Sequence, residues 1–320
     1  YEEILNLISQ LENSYPDLVH TEVIGTSLEG RDVIALKISD NAAYDENEPE
    51  VLYTGLHHAR EPMSYMNLFY YMHWLGENYN TDTLAEHIVN NRELWFIPAI
   101  NPDGLVYNES IAPNGGGMQR KNTRDTCSET PIGVDLNRNY SYMWGYDNDG
   151  SSPDGCSETY RGSSPFSEPE TQAVRDFVDQ YDFKINFNYH SYSNLLIYPF
   201  GYEYDNQAPA EDIDIYIEYG EDMVQYNNYT LGTGPDLLYP VNGEACDWMY
   251  GEKNIFSYTP EIGSSNDGFW PSTERILPLA EENLHPNQIL SVNAGSRYNV
   301  DILVEETNFD LSGNYPLYIS

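Results

Sequence analysis

The stretch VLYTGLHHAREPMSYMNLFYYMHWL, residues 51–75, changes its periodicity halfway along. Val51 to Gly55, opened by the apolar run Val51-Leu52-Tyr53, reads as a buried strand, whereas Met63 to Leu75 spaces its apolar residues as one helix face does. A buried strand feeding a helix is half of a βαβ unit, the building block of α/β sheets. Between the two lie His57, His58, Arg60 and Glu61. In open α/β sheets, ligands bind at the carboxyl ends of strands, which is where this cluster falls.

The alternation continues outward. Ile4, Leu5, Ile8 and Leu11 have helical spacing, and HTEVIGTSLEGRDVIALKISD (20–40) alternates apolar and polar residues about a turn at Glu29-Gly30, the pattern of a hairpin. Downstream, Leu84 to Asn90 reads as a helix and Glu93 to Ile100 as a strand closed by a turn at Asn101-Pro102-Asp103-Gly104. Residues 106–165 are rich in Gly, Ser, Asn and Asp and too long for a simple connection. Ser167-Glu168-Pro169-Glu170 opens a helix to about Tyr181; Lys184 to Tyr189 and Leu195 to Pro199 read as strands, and Asp212 to Tyr226 as an amphipathic helix. A short helix at Ala245 to Tyr250, a strand at Ile255 to Thr259 and one long helix from Thr273 to Ala294 follow. No internal repeat and no linker precedes Tyr298. The pattern predicts one α/β domain with a mixed sheet covered by helices on both faces.

At 320 residues the chain can bury about three quarters of its unfolded surface in one core. Its 14 basic and 52 acidic residues give a charge of -38, which excludes nucleic acid and anionic membranes as partners and suits a salty or calcium-containing medium. The 29 tyrosines mean that low hydropathy here does not signal disorder. No run reaches the roughly eighteen apolar residues of a membrane helix. The opening YEEILNLISQLENSY lacks a basic start and a small-residue cleavage site, as expected of a mature chain freed of an export signal. Three cysteines allow one internal disulfide; Cys127 and Cys156, both in loop-like sequence, are the expected pair, and a secreted protein is the expectation that follows.

His58 and Glu61, three residues apart, can converge on one ion. The comparable third candidate is His190, which ends the strand-like INFNYH; His20, His73, His87 and His285 lie in surface-like contexts. Two histidines, one glutamate and an open fourth position compose a catalytic zinc site, although each residue alone could equally be a hydrogen-bonded group at a strand end.

Further motifs extend across the chain in fixed order: His-Ala-Arg-Glu at 58–61, Asn-Pro-Asp-Gly at 101–104, Gln-Arg-Lys at 119–121, Val-Asp-Leu-Asn-Arg-Asn at 134–139 and Cys-Ser-Glu-Thr-Tyr-Arg-Gly at 156–162. His-Ser-Tyr-Ser at 190–193, Tyr-Pro-Phe-Gly at 198–201, Asp-Trp at 247–248 and Glu261 complete the set. In these the chain resembles the zinc carboxypeptidases of the M14 class, and within them the bacterial carboxypeptidase T branch. The resemblance implies a central, mixed, eight-stranded twisted sheet flanked by helices and a catalytic domain over residues 1–300, while the tail at 301–320 has the strand-like composition of an edge strand or of the root of a lost module. It implies a monomeric, zinc-dependent exopeptidase acting on the C-termini of peptides and proteins. Zinc on His58, Glu61 and His190 would polarise the scissile carbonyl and acidify its water, and a carboxylate, Glu261 by resemblance, would take the proton.

By the same resemblance Arg120 stabilises the developing oxyanion. Asn137 and Arg138 anchor the substrate carboxylate, Tyr239 caps it, and Arg60 faces the substrate. Asp135 orients His58. The specificity pocket corresponds to Ile197, Gly201, Glu244, Cys246 and Thr259, which implies large apolar C-terminal residues with basic ones accepted through Glu244. Asp40, Asp45, Glu46, Glu48 and Glu50 of SDNAAYDENEPE (39–50), with Glu93, are implied as calcium ligands. Asp147-Asn148-Asp149-Gly150 lacks the glutamate that completes an EF-hand loop and reads as an ordinary turn. Two departures stand out. Gly117 occupies the place of a second arginine of animal members, and Pro131 that of the cysteine which pairs with Cys156 there, so Cys127 must serve instead. Two rivals are a zinc deacylase or amidohydrolase of the same fold and an inactive zinc-containing binder of C-terminal tails. Asn137, Arg138 and Tyr239 favour the peptidase over the first; the presence of Glu261 and Arg120 favours it over the second.

Overall fold

The computed structural model, which describes residues 1–128, 132–205 and 207–295, sets the apolar run at 51–54 in the middle of a sheet. Among the described residues the strands are β1 (Val19–Thr26), β2 (Asp32–Ile38), β3 (Glu50–Thr54), β4 (Glu93–Ile97), β5 (Phe183–Asn188), β6 (Leu195–Tyr198), β7 (Thr230–Thr233) and β8 (Phe256–Glu261). They lie in the order β1-β2-β4-β3-β5-β8-β6-β7. The four central strands β4, β3, β5 and β8 are parallel; the β1–β2 hairpin joins β4 antiparallel on one side, and β6, antiparallel to β8, carries β7 on the other. This is the mixed eight-stranded sheet expected. Only β7, Thr-Leu-Gly-Thr, is too short and weakly apolar to be read from periodicity.

The helices are α1 (Glu2–Ser14), α2 (Met63–Asn78), α3 (Thr83–Val89), α4 (Pro102–Ile111), α5 (Pro169–Val178), α6 (Ala210–Met223), α7 (Gly234–Leu237), α8 (Ala245–Lys253), α9 (Thr273–Glu281) and α10 (Leu284–Asn293). They cover both faces. Val51 and Tyr53 of β3 join a core built with Ile8, Leu68, Tyr71 and Leu290, while Leu52 joins another with Val174, Phe177 and Trp248. A strand buried on both faces needs apolar residues at every position, hence the unbroken run. No helix among the described residues is long and apolar enough to cross a membrane.

Two expectations are corrected. Asn101-Pro102-Asp103-Gly104 is not a turn but the start of α4: the Asn101 side chain accepts from Gly104 N at 3.0 Å and proline takes the first helical position, where its missing N–H costs nothing. The aperiodic segment thus begins only after Ile111. The single helix expected over Thr273–Ala294 is two, α9 and α10. Pro286 would collide with the preceding turn of a continuous helix, and restarting at Leu284 places it in a first turn instead. The tail at 301–320 lies outside the described residues, as do residues 296–300 of the expected domain.

The topology positions the site. From β3 the chain passes through α2 and α3 to β4 on one side, and from β4 it returns to β5 on the other. The connections after β3 and β5 therefore part at the carboxyl edge, leaving a crevice between them. Because β3, β5 and β8 are parallel, the residues just beyond all three ends meet at that one edge.

Candidate metal centre and substrate cleft

Beyond β3 the chain turns at Leu56, whose φ of 56° is left-handed, and is pinned there on both sides: Leu56 N donates to Ser64 Oγ at 2.9 Å, and Leu56 O accepts from Asn101 N at 3.0 Å. Ala59 N donates to Arg120 O at 3.0 Å, and Asn108 Nδ2 to Ala59 O at 3.1 Å. Helix α4 thus braces this loop, and Gly104 allows the contact, since a Cβ there would lie 2.6 Å from Ala59 Cβ. His58 and Glu61 are buried on the braced loop, and His190 arrives from the end of β5.

His58 Nδ1 lies 2.9 Å from Glu61 Oε1 and 3.0 Å from His190 Nδ1, which is itself 2.9 Å from Glu61 Oε2. His58 Nε2 donates to Asp135 Oδ1 at 3.1 Å, so in the neutral imidazole Nδ1 is the lone pair that faces Glu61 and His190. Acceptors converging in a buried site repel unless a cation joins them, and two imidazoles with one carboxylate are the donors zinc takes. Burial, with His58 beside it, pushes His190 down to about 4, so it stands neutral, as a metal ligand must. Buried His57 turns its Nε2 to the Tyr140 hydroxyl at 2.7 Å, away from the triad, and lays its ring against that of His190.

Asp135 links the triad to the cationic side of the cleft. Its Oδ2 accepts from Arg120 Nε at 3.0 Å and pairs with Nη2 at 2.9 Å, and Arg138 Nη1 lies 3.9 Å away. Burial alone would raise this carboxyl, but Arg120, Arg138 and His58 outweigh it and hold it well below the usual range. Arg138 is aimed by two carbonyls, Gly150 O at 3.0 Å from Nε and Asn137 O at 2.8 Å from Nη1. Asn137 Oδ1 accepts from Ala245 N at 3.0 Å, so this pair also ties into α8. Glu261 ends β8 beside His190, bridged to it in the sheet. Burial and the Glu61 charge raise its carboxyl, with Arg120 and Arg138 opposing.

One cleft is lined by the triad together with Arg60, Arg120, Asn137, Arg138, Tyr239 and Glu261. Ile197, Glu244 and Thr259, all buried, line the same cleft. Tyr239 is half exposed, and the Arg60 guanidinium stacks on Phe269 at 4.3 Å. Gly201 and Cys246, expected in the pocket wall, stand behind it instead: a carboxylate oxygen of Glu244 packs where a Gly201 side chain would be, and Cys246 is buried beneath Thr259. The wall also uses Gly234, Leu238 and Val241, which sequence reasoning missed because α7 and the loop after it have no periodicity. Burial pushes Glu244 up to about 7, Arg138 opposing.

At the far edge of the sheet the six acidic residues form two groups, Asp40 with Glu46 and Glu48, and Asp45 with Glu50 and Glu93. Glu93 is fully buried; one oxygen takes the Lys37 ammonium and Glu46 N, and the other has no partner. Burial and neighbouring acids raise Glu48 and Glu50 to about 7. Cys127 and Cys156 form a disulfide, and Cys246 is free.

The profile of the zinc carboxypeptidase family, Peptidase_M14, matches residues 4–286. The chain is 35% identical over 294 residues to a zinc carboxypeptidase of Saccharothrix mutabilis subsp. capreolus, spanning 88% of this chain and 66% of that one. It is 31% identical over 299 residues to carboxypeptidase B of Astacus astacus, spanning 91% and 95%. In three dimensions it is similar to bovine thrombin-activatable fibrinolysis inhibitor, solved with a tick carboxypeptidase inhibitor, at a TM-score of 0.79 and 27% identity over 92% of this chain and 96% of that one. Carboxypeptidase A of Helicoverpa armigera gives 0.80 and 27% over 92% and 72%. With the sheet, the His58–Glu61–His190 triad and the cleft in place, these matches show that the chain belongs to the zinc carboxypeptidase family, Peptidase M14, whose members are peptide hydrolases.

Proposed function

We propose that the chain is a secreted, monomeric, zinc-dependent exopeptidase of the carboxypeptidase T branch that hydrolyses the C-terminal peptide bond of peptides and proteins, taking large apolar and also basic C-terminal residues. The observation that carries this is Arg138, held by two carbonyls in the same cleft as the His58–Glu61–His190 triad. A fixed guanidinium beside a metal site selects a substrate with a free carboxylate next to the bond to be cut. His58, Glu61 and His190 would hold the zinc, which would supply Lewis acidity toward the scissile carbonyl and lower the pKa of the attacking water. Glu261 takes the proton from that water and delivers it to the leaving amine. Arg120, locked on Asp135, presents its charge to the developing oxyanion, while Asn137 and Arg138 hold the terminal carboxylate and Tyr239 closes over it. Glu244, below an apolar wall, receives a cationic side-chain tip when ionised and tolerates an apolar one when neutral. The catalytic unit in this reading is residues 1–300, and the Cys127–Cys156 disulfide supports secretion.

The test is hydrolysis of N-blocked dipeptides ending in Phe, Leu, Arg, Lys and Glu, with and without a zinc chelator. Phe and Leu are expected to be released fastest, Arg and Lys next and Glu least, all chelator-sensitive. No chelator-sensitive release from any of them would refute the peptidase, and release only from small acylated amino acids would favour the deacylase.

Calcium at the two acidic groups belongs to the same proposal. The buried, unpartnered Glu93 oxygen and the raised Glu48 and Glu50 are what crowded carboxylates show without a cation, and calcium accepts such oxygen sets. Calcium that binds only the folded state stabilises it, by about 2.7 kcal/mol at a hundred times its Kd. Tm should therefore rise with calcium in wild type and rise less in Glu48→Gln; a flat titration would exclude the sites.

A further inference from the structure

Of the tetrad Asp147-Asn148-Asp149-Gly150 only the Gly150 carbonyl enters the function above, as a partner of Arg138, yet the first side chain also turns inward. Asp147 Oδ1 accepts from Asp149 N at 3.0 Å and Gly150 N at 2.8 Å, closing a turn, and also from Asn242 Nδ2 at 2.7 Å. An oxygen taken by three N–H donors is not available to a cation. Asn242 is fully buried, three residues beyond Tyr239, and the rest of its amide is engaged as well, its Oδ1 accepting from Ser151 Oγ. Its backbone N–H donates to Gly150 O at 3.4 Å, and a side chain at 150 would not fit, since a Cβ there would lie 2.5 Å from Asn242 Nδ2. That same Gly150 carbonyl accepts from Arg138 Nε. From outside, Arg161 braces the turn, donating to Asp147 O at 2.7 Å and to Asn148 Oδ1 at 3.0 Å.

We propose that Asp147 is a positioning residue for the substrate's terminal carboxylate: by clasping the 147–150 turn to Asn242 it sets the aim of Arg138 and the seat of the Tyr239 loop as one unit. The proposal rests on the exopeptidase reading, in which Arg138 binds that carboxylate. Two carbonyls hold the Arg138 guanidinium, and Gly150 O is one of them. If the turn relaxes, the guanidinium plane can rotate and its two-pronged match to a carboxylate is lost, which weakens binding of the substrate more than the chemical step.

The experiment measures kcat and KM for wild type, Asp147→Ala, Asp147→Asn and Asn242→Ala on a blocked dipeptide with a free C-terminal carboxylate and on its C-terminal amide. Wild type failing to prefer the free acid would overturn the exopeptidase reading itself, separately from the clasp. Given that preference, Asp147→Ala is expected to raise KM for the acid about tenfold with kcat within about twofold, and to narrow the preference over the amide to match. Asn242→Ala should do the same, and Asp147→Asn, which keeps an acceptor oxygen in place, should restore KM. A purely structural role would instead lower Tm and kcat with KM unchanged. That pattern, an unchanged KM, or Asp147→Asn as impaired as Asp147→Ala overturns the clasp. Should Asp147→Ala not fold, Asn242→Ala reads the same bond from its other end.

Discussion

Glu261→Gln is expected to abolish most peptidase activity while leaving the metal in place. General-base catalysis is worth about 10²- to 10⁴-fold, and kcat should fall by that order with KM little changed. Glutamine keeps the size and one oxygen of the side chain, so β8 and its bridge to His190 should survive. Glu261 is also outside the triad, so zinc content, measured by metal analysis, should match wild type. Its environment suits the role. In the protein matrix alone, burial and Glu61 raise it above the usual carboxylate range, and a cation on the triad would draw it back, toward the range where a carboxylate can both take and return a proton. Full activity in Glu261→Gln would refute the assignment; lost zinc would mean that the carboxylate supports the metal instead.

What could be read from the sequence follows from where the chemistry sits. His58 and Glu61 follow the apolar start of β3, and His190 and Glu261 stand at the ends of β5 and β8, so strand ends carrying ionisable residues are visible without coordinates. Because β5 and β8 interleave Asn, Ser and Thr with their apolar residues, the role of Glu261 was legible only through the resemblance. Asp135 offers no such signal. It caps a single turn at Leu136–Arg138 within aperiodic sequence, and what makes it central is its contact with Arg120, fifteen positions earlier, and with His58 on another loop. Only the family resemblance pointed to it, and only as a partner of His58. Gly201 and Cys246 went astray for a related reason: the resemblance names positions around a pocket, but whether a glycine or a thiol faces it depends on the neighbour packed over it, here Glu244 and Thr259. The Asn101 cap shows the opposite failure. Asn followed by Pro serves a turn and a helix start equally well, and the choice was made by α4 packing on the loop that carries His58.

Asp135→Asn is expected to damage metal binding and catalysis by separable routes. One oxygen of Asp135 receives His58 Nε2 and Asn137 N, and the other receives Arg120. Losing the carboxylate behind a metal-binding histidine costs about 10- to 100-fold in metal affinity. The same substitution strips Arg120 of its close anion, leaving Glu61 at 3.9 Å, and misplacing one oxyanion donor costs about 10²- to 10³-fold in kcat. It also takes the nearest anion from a buried guanidinium, for which breaking a buried pair suggests up to about 3–5 kcal/mol of lost stability, seen as a lower Tm. The two routes part under excess zinc. Saturating metal should refill the site, yet kcat should stay about 10²-fold or more below wild type, because zinc cannot re-aim Arg120. If added zinc restored full activity, Asp135 would act through His58 alone, and the Arg120 pair would be structural. If kcat stays low with the site full, one buried carboxylate sets both the metal and the positive charge that faces the substrate.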